Sequence, residues 1–112
     1  MTTTTQRIAL PFKHGFYYMP LKEILYFESN GNFIFAYFTN MDRQIIHSSL
    51  KEVETKMEKY RFCRIHHQYV INLEHLTKFL KDDHQVVLLG NDIKLPVSRS
   101  RESLLKEMVL LH

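Results

Sequence analysis

Short runs in which apolar and polar positions alternate recur along the chain, and this pattern is typical of strands that bury one face. The first two runs cover 7–12 and 16–19. Between them stands Lys13-His14-Gly15, which predicts a hairpin turn. The chain is therefore expected to begin, after its first six residues, with a pair of antiparallel strands.

Two aromatic-rich runs at 25–28 and 33–38 predict a second hairpin. The residues between them are Ser29-Asn30-Gly31-Asn32, and an Asn-Gly pair in such a position is a strong signal for a tight turn. The second run is apolar on both faces, which predicts a central strand. A turn at 39–42 then leads into a further strand at 43–47.

A helical pattern follows at 50–59. Ser49 and Glu52 have the spacing of a capping box, in which each residue bonds the backbone of the other. Leu50, Val53 and Met57 recur at helical intervals, so they predict an apolar stripe that packs on the sheet.

The last third of the chain predicts a meander followed by a short helix. That helix is expected from about Ser100, where Leu104, Leu105, Met108 and Val109 would close the core. The predicted fold is mainly β, a single domain of short antiparallel strands with one or two short helices. The meander consists of strands at 76–81, 85–89 and 93–97, with turns at 82–84 and 90–92.

The stretch from 62 to 72 is the most informative part of the chain. It sets apolar residues against Arg64, His66, His67 and Gln68 and contains no acidic side chain. Alternation of this kind predicts a strand with one buried face and one basic face. A second acid-free basic stretch, from 93 to 101, could lie beside it in the folded domain. Together they suit duplex DNA, although a solvated basic face is the plainer interpretation.

Composition agrees with one globular domain. The chain has 112 residues, of which 45% are hydrophobic and 24% charged, and a net charge of +3. With so mild a charge, DNA binding would depend on where the charges lie rather than on their sum. Residues 1–6 are interpreted as a disordered leader or tag, and 7–112 as the domain. Cys63 stands alone, so a reducing compartment, the cytoplasm, is expected.

The sequence offers no pattern of a metal site, a cofactor or an enzyme. Cys63, His66, His67 and His75 do not have a recognised zinc spacing, and Cys63 is expected to face the core. Three glycines form no phosphate loop, and the acidic residues are interpreted as parts of a solvated surface. No run of about 18 apolar residues predicts a membrane span.

Four motifs, in order and spacing, resemble the LytTR family of bacterial DNA-binding domains, and the resemblance covers about 7 to 110. It implies an elongated, mostly β fold that presents loops rather than a recognition helix to direct-repeat sites on double-stranded DNA. The motifs are 24–32, Ser49-Leu50-Lys51-Glu52, Phe62-x-Arg64-x-His66 followed by Tyr69-Val70-Ile71-Asn72, and Pro96-Val97-Ser98-Arg99.

The resemblance also implies roles for individual residues. Bases would be read by the loop that contains Asn30 and Asn32, by His67 and by Arg99. Phosphates would be held mainly by Arg64, His66, Gln68 and Arg101. The family usually has arginine, lysine or asparagine at the position of His67 and serine at that of Gln68, so the recognised DNA sequence is expected to differ.

Physical chemistry supports some of these roles and leaves others open. A guanidinium at Arg99 can bond guanine O6 and N7 together, and the amide of Asn32 can read adenine. Asn30 is interpreted as a turn former. Adjacent residues of a strand point to opposite faces, so His66 and His67 share a partner only if the chain turns between them, as the resemblance implies.

The expected protein is a bacterial transcription regulator or its output domain, monomeric when free and paired on DNA. An upstream receiver domain or a sensor kinase pathway is a further expected partner. The alternatives are a single-stranded RNA-binding module, which would need exposed aromatic rings, and a protein-interaction module that uses the same basic face.

Overall fold

The computed structural model describes residues 6–82 and 84–110. The predicted leader, apart from Gln6, and the Asp83 position of the predicted 82–84 turn lie outside the described residues. Within them, no helix is both long and apolar enough to cross a membrane.

Ten strands and two α-helices form the described chain, with short 3₁₀ turns between some of them, which confirms the mainly β prediction. In chain order they are β1 Arg7–Phe12, β2 Gly15–Pro20, β3 Ile24–Asn30, β4 Phe33–Phe38, β5 Arg43–Ile46, α1 Leu50–Met57, β6 Phe62–His66, β7 Tyr69–Asn72, β8 Leu76–Lys81, β9 Gln85–Leu89, β10 Ile93–Pro96 and α2 Arg99–Leu110.

The strands form three antiparallel sheets. The central sheet has the order β5-β4-β3-β7-β6, so β4 is an interior strand, as its apolar faces predicted. The β1–β2 hairpin and a β10-β9-β8 sheet make up the other two. The domain measures 44 × 42 × 24 Å, so it is extended in two directions and thin in the third.

Each face of the central sheet carries its own hydrophobic core. One face packs against α1 and the β1–β2 hairpin, and the other packs against α2 and the β8–β10 sheet. Leu105 is the buried residue of α2, whereas Leu104 is 37% exposed, so the prediction that Leu104 closes the core is wrong. Adjacent helix positions are about 100° apart around the axis, so Leu104 points to the side when Leu105 faces the core.

The capping box of α1 is confirmed. Ser49 Oγ accepts a hydrogen bond from Glu52 N at 3.1 Å, and Glu52 Oε1 accepts one from Ser49 N at 3.0 Å. The α-helix ends at Met57 and continues as a 3₁₀ turn to Tyr60. Arg61 then adopts a left-handed conformation with φ of 66°, which turns the chain into β6.

The interpretation of 62–72 as one continuous strand is wrong. The stretch forms the β6–β7 hairpin with His67 and Gln68 at its turn, and the ladder is irregular between Arg64 and His66. The turn that the family resemblance implied is therefore present. Cys63 is buried in the core as predicted, and burial raises the pKa of its thiol to about 11.

Asn72 is the buried polar residue that fastens the end of this hairpin to the rest of the domain. Its Nδ2 donates to Leu21 O at 3.2 Å and to Ile24 O at 2.9 Å, and its Oδ1 accepts from Glu74 N at 3.0 Å. These bonds join β7 to the start of β3. They compensate for the burial of the amide and fix the relative position of the two hairpins.

Candidate nucleic-acid interface

Two hairpin turns meet at one end of the central sheet. β3 and β7 are antiparallel, with Glu28 opposite Tyr69, so the end of β3 lies beside the start of β7. Ser29 N donates to Gln68 O at 2.8 Å, which joins the two turns directly. The Asn30 region and the His67-Gln68 turn, far apart in sequence, are thus neighbours.

The tight turn of the β3–β4 hairpin differs in detail from the prediction. Gly31 and Asn32 occupy the turn, and Gly31 has φ of 62°, which favours glycine. Asn30 is the last residue of β3 and pairs with Phe33, so its interpretation as a turn former is wrong by one position. Both Asn30 and Asn32 are exposed.

The start of α2 joins the same end of the sheet. Ser98 N donates to Ile65 O at 2.8 Å, which sets the residues before α2 against the last residues of β6. The two basic stretches therefore lie side by side, as predicted. Arg99, exposed, is the first residue of α2, so the helix begins one residue earlier than expected.

We call this end of the sheet the turn edge. It comprises residues that are largely exposed to solvent, apart from the partly buried His66, Gln68 and Ser98. Its members are Asn30, Gly31, Asn32, His66, His67, Gln68, Ser98 and Arg99. None of them is acidic, so the edge presents amide, imidazole and guanidinium groups together.

Arg64 lies behind the turn edge and stabilises it. Its Nε donates to His66 O at 3.2 Å and its Nη2 donates to His67 O at 2.7 Å. Only 16% of its side chain is exposed. Two backbone carbonyls of the β6–β7 turn thus have their hydrogen bonds satisfied by one guanidinium, which holds the turn in a defined shape.

A glutamate of α1 joins the two arginines of the predicted phosphate-binding set. Glu54 Oε1 lies 3.2 Å from Arg64 Nη1, and Glu54 Oε2 lies 3.0 Å from Arg101 Nη1. The interpretation of every acidic residue as part of a solvated surface is therefore wrong for Glu54. Nothing in the sequence pairs it with Arg101, which is 47 residues away.

The surroundings of His66 disfavour its charged form. Gln68 N donates to His66 Nδ1 at 3.2 Å, so this nitrogen acts as an acceptor. Burial lowers the pKa of His66, and the neighbouring positive groups of His67 and Arg64 lower it further. The rings of His66 and His67 lie 4.2 Å apart between centroids.

A cluster of tyrosines around Glu28 links the β3–β4 hairpin to the β6–β7 hairpin. Tyr37 and Tyr69 donate their hydroxyl groups to Glu28 at 2.7 and 3.3 Å, and Tyr26 stacks on Tyr37 with centroids 4.4 Å apart. Burial and the Glu28 carboxylate raise the pKa of both Tyr37 and Tyr69. These tyrosine rings make their contacts within the protein, whereas the ring of Phe33, beside the turn edge, is 53% exposed.

A comparison with protein families identifies the class. The family model described as the LytTr DNA-binding domain matches residues 14–110, most of the chain. The chain therefore belongs to the LytTR family of DNA-binding domains, as the motifs in its sequence indicated.

Two similar proteins are the heme-containing CO-sensing transcriptional regulators RcoM 1 and RcoM 2 of Paraburkholderia xenovorans (strain LB400). The chain is 30% identical to the first over 94 residues, which is 81% of this chain and 35% of that protein. It is 29% identical to the second over 92 residues, covering 80% and 34%. The chain thus spans about a third of the length of these curated relatives.

The fold also resembles that of a solved structure from Bacillus cereus, described as the LytTr DNA-binding domain of a methyl-accepting/DNA response regulator. The TM-score is 0.78 at 20% sequence identity, over 96% of this chain and 98% of the other. The arrangement of strands and helices is therefore the fold of this family.

Proposed function

We propose that residues 7–112 form one domain that binds duplex DNA sequence-specifically and reads direct-repeat half-sites through the turn edge. The observation that carries this proposal is the meeting of three separate acid-free segments at one end of the sheet. Ser29–Gln68 and Ser98–Ile65 backbone hydrogen bonds hold them together. Amide and guanidinium groups on a rigid edge suit the hydrogen-bonding pattern of the major groove.

Within this proposal Asn32, His67 and Arg99 read bases, because their side chains are exposed at the turns and at the start of α2. Asn30, exposed at the end of β3, lies beside them and belongs to the same reading loop.

Phosphates are assigned to the other residues of the predicted set. His66 and Gln68 flank the base-reading His67, where they can bond phosphate oxygens of the DNA backbone. Arg64 bonds Glu54 and two carbonyls, and Arg101 bonds Glu54, so each would offer a phosphate only the donors that these partners leave free. Arg101, with 31% of its side chain exposed, is the better placed of the two.

The size of the domain supports reading in neighbouring grooves. A turn of B-DNA is about 34–36 Å long, and the domain extends 44 × 42 Å in its two long directions. One domain can therefore extend along a half-site over more than one groove.

The biological context proposed is transcription regulation in a bacterial cytoplasm, with the domain monomeric when free and paired on direct repeats. The relatives named above are transcriptional regulators and about three times as long as the matched region. A receiver or other sensing domain joined to this one, or a sensor kinase pathway, is accordingly a proposed partner.

Selection from a randomised duplex library at about physiological salt tests the proposal. The wild type is expected to enrich two repeated half-sites, and Arg99→Ala is expected to lose preference at one position by about 1–3 kcal/mol. Arg7→Ala, which removes an exposed arginine at the far end of β1, is the matched control. Recovery of no motif, or an equal change in both variants, would refute the assignment.

One observation favours single-stranded RNA as a second candidate. Phe33 follows the β3–β4 turn directly and is 53% exposed, and its ring lies 6.3 Å from that of Phe35. Exposed rings on a sheet can stack on unpaired bases, each stack contributing about 1–3 kcal/mol. If RNA is the ligand, Phe33→Ala weakens single-strand binding strongly while Arg99→Ala leaves duplex preference unchanged.

A further inference from the structure

The β1–β2 turn lies at the same end of the molecule as the turn edge. His47 N donates to Pro11 O at 2.8 Å, which sets the end of β1 beside the end of β5. In the central sheet Ile46 of β5 pairs with Ile34, next to the β3–β4 turn. Lys13 and Asn32 consequently both line one open groove on the protein surface, of about 1010 Å³.

Contacts within the protein hold this turn in place. Phe12 and Tyr17, on either side of it, stack with their ring centroids 4.4 Å apart. The Tyr17 hydroxyl donates to Gln44 Oε1 at 2.9 Å, so the hairpin is also fastened to β5. The turn therefore has a defined position relative to the turn edge.

The tip of the turn is positively charged and exposed. Lys13 and His14 occupy it, and neither is buried. Glu52, the acidic residue among those that line the groove, is part of the cap of α1, where it accepts a hydrogen bond from Ser49 N. The tip itself therefore suits an anion that approaches from outside the domain.

The position of the tip restricts which part of a DNA duplex it can meet. Neighbouring strands lie about 4.8 Å apart, so the four spacings from β5 to β6 amount to about 19 Å. Lys13 follows the segment that bonds the end of β5, and Arg99 follows the segment that bonds the end of β6, the two edge strands of this row. Because the DNA major groove is only about 12 Å wide, we expect Lys13 to meet the duplex outside the groove that Arg99 enters.

We infer that the β1–β2 turn, through Lys13 and His14, binds the phosphate backbone that flanks the half-site on the side away from Arg99. This inference rests on the proposed function, because it extends the same interface to a further segment. The contact adds affinity without reading bases, and it lengthens the DNA that one domain covers.

The test compares Lys13→Gln with Lys22→Gln on two duplexes. Lys22 is an exposed lysine in the 3₁₀ turn at the other end of β2, so its substitution removes the same charge from the opposite end of the hairpin. One duplex carries the selected half-site with both flanks, and the other is shortened on the flank away from the Arg99 contact. Affinity is measured over about 50–200 mM salt.

On the extended duplex, Lys13→Gln is expected to reduce the slope of log affinity against log salt by about 0.9, the value for one lost phosphate contact. The wild type then loses about 3-fold more affinity than the variant across that salt range. On the shortened duplex the two proteins should behave alike, and Lys22→Gln should match the wild type throughout. A Lys13→Gln/His14→Gln variant should lower the affinity further, on the extended duplex alone.

Three results would overturn the inference. Lys13→Gln could leave the slope on the extended duplex unchanged, or it could act equally on both duplexes, or Lys22→Gln could have the same effect. In each case the contribution of Lys13 to DNA affinity is absent, or it is only the effect of overall charge. Failure of the wild type to select any motif would instead refute the proposed function, so the two failures are distinguishable. Thermal unfolding of each variant confirms that the fold is retained.

Discussion

Replacing Glu54 with glutamine tests how the candidate interface is held together. The carboxylate bonds Arg64 Nη1 at 3.2 Å and Arg101 Nη1 at 3.0 Å. Glutamine keeps the shape of the side chain but removes the charge, and both arginines then lack their carboxylate. Glu54→Gln is therefore expected to lower the stability of the domain and, at the same time, to strengthen nonspecific binding to DNA.

The loss of stability can be estimated from burial. The three side chains are 16% to 31% exposed, which is between the surface and the interior. Exposed ion pairs contribute about 0–1 kcal/mol each, whereas breaking a buried pair costs about 3–5 kcal/mol. Two partly exposed pairs, with glutamine keeping one neutral hydrogen bond, should total about 1–2 kcal/mol. The melting temperature then falls by about 4 °C for each kcal/mol.

The effect on DNA has the opposite sign. The substitution raises the net charge from +3 by one unit and frees the guanidinium of Arg101, whereas that of Arg64 stays bonded to two carbonyls. One freed group that reaches a phosphate steepens the salt slope by about 0.9, so an increase of about 1 is expected. Selectivity between the selected half-site and random duplex should fall, because nonspecific affinity rises more than specific affinity.

Urea unfolding and a salt titration of DNA binding measure the two effects on the same variant. Glu107→Gln removes the same charge from an exposed position of α2 and serves as the control. If the free energy of unfolding changes by less than about 0.5 kcal/mol relative to this control, the ion pairs are screened by solvent and the stability argument is wrong. An unchanged salt slope would mean that the freed Arg101 does not reach a phosphate.

Three further predictions concern the fold and its dependence on pH. Asn72→Ala should lower the free energy of unfolding by about 2–4 kcal/mol, because it leaves two backbone carbonyls and one amide of the domain without their partner; loss of less than about 1 kcal/mol in urea would contradict this. Ser49→Ala should cost about 1 kcal/mol through the lost cap of α1, with Ser103→Ala as the control, and equal melting temperatures would refute it. The pKa of His66 is lower in the folded than in the unfolded state, so the unfolded chain takes up the proton first. Stability should therefore fall as pH falls from about 7 to 5, and His66→Gln should flatten that dependence.

Features decided between near neighbours in the chain were predictable from the sequence. The β1–β2 and β3–β4 hairpins follow from alternation and turn residues, and the capping box of α1 depends on two residues three positions apart. Most errors at this level are small shifts, but the β6–β7 turn did not follow from alternation and was implied only by the family resemblance. Asn30 lies one position from the turn because Gly31, with its positive φ, takes the first place in it.

The class of the protein was also contained in the sequence, since the order and spacing of four motifs indicated the LytTR family, which the family match over 14–110 confirms. The roles of individual residues were less accessible. Arg64 is of a residue type that often contacts DNA, and the sequence therefore suggested that role. Its guanidinium instead bonds two carbonyls of its own hairpin and Glu54. Which donors of an arginine are already used depends on the fold around it.

Only the tertiary structure decided which segments meet. Glu54 lies between arginines 10 and 47 residues away, and Ser29 bonds a carbonyl in the β6–β7 turn. Lys13 shares a groove with Asn32 because β1 lies beside β5 and β5 beside β4. A sequence pattern reports the period and the chemistry of each segment, since these depend on neighbours along the chain. The pairing of distant strands depends instead on the burial of both faces of the central sheet, which is a property of the whole domain.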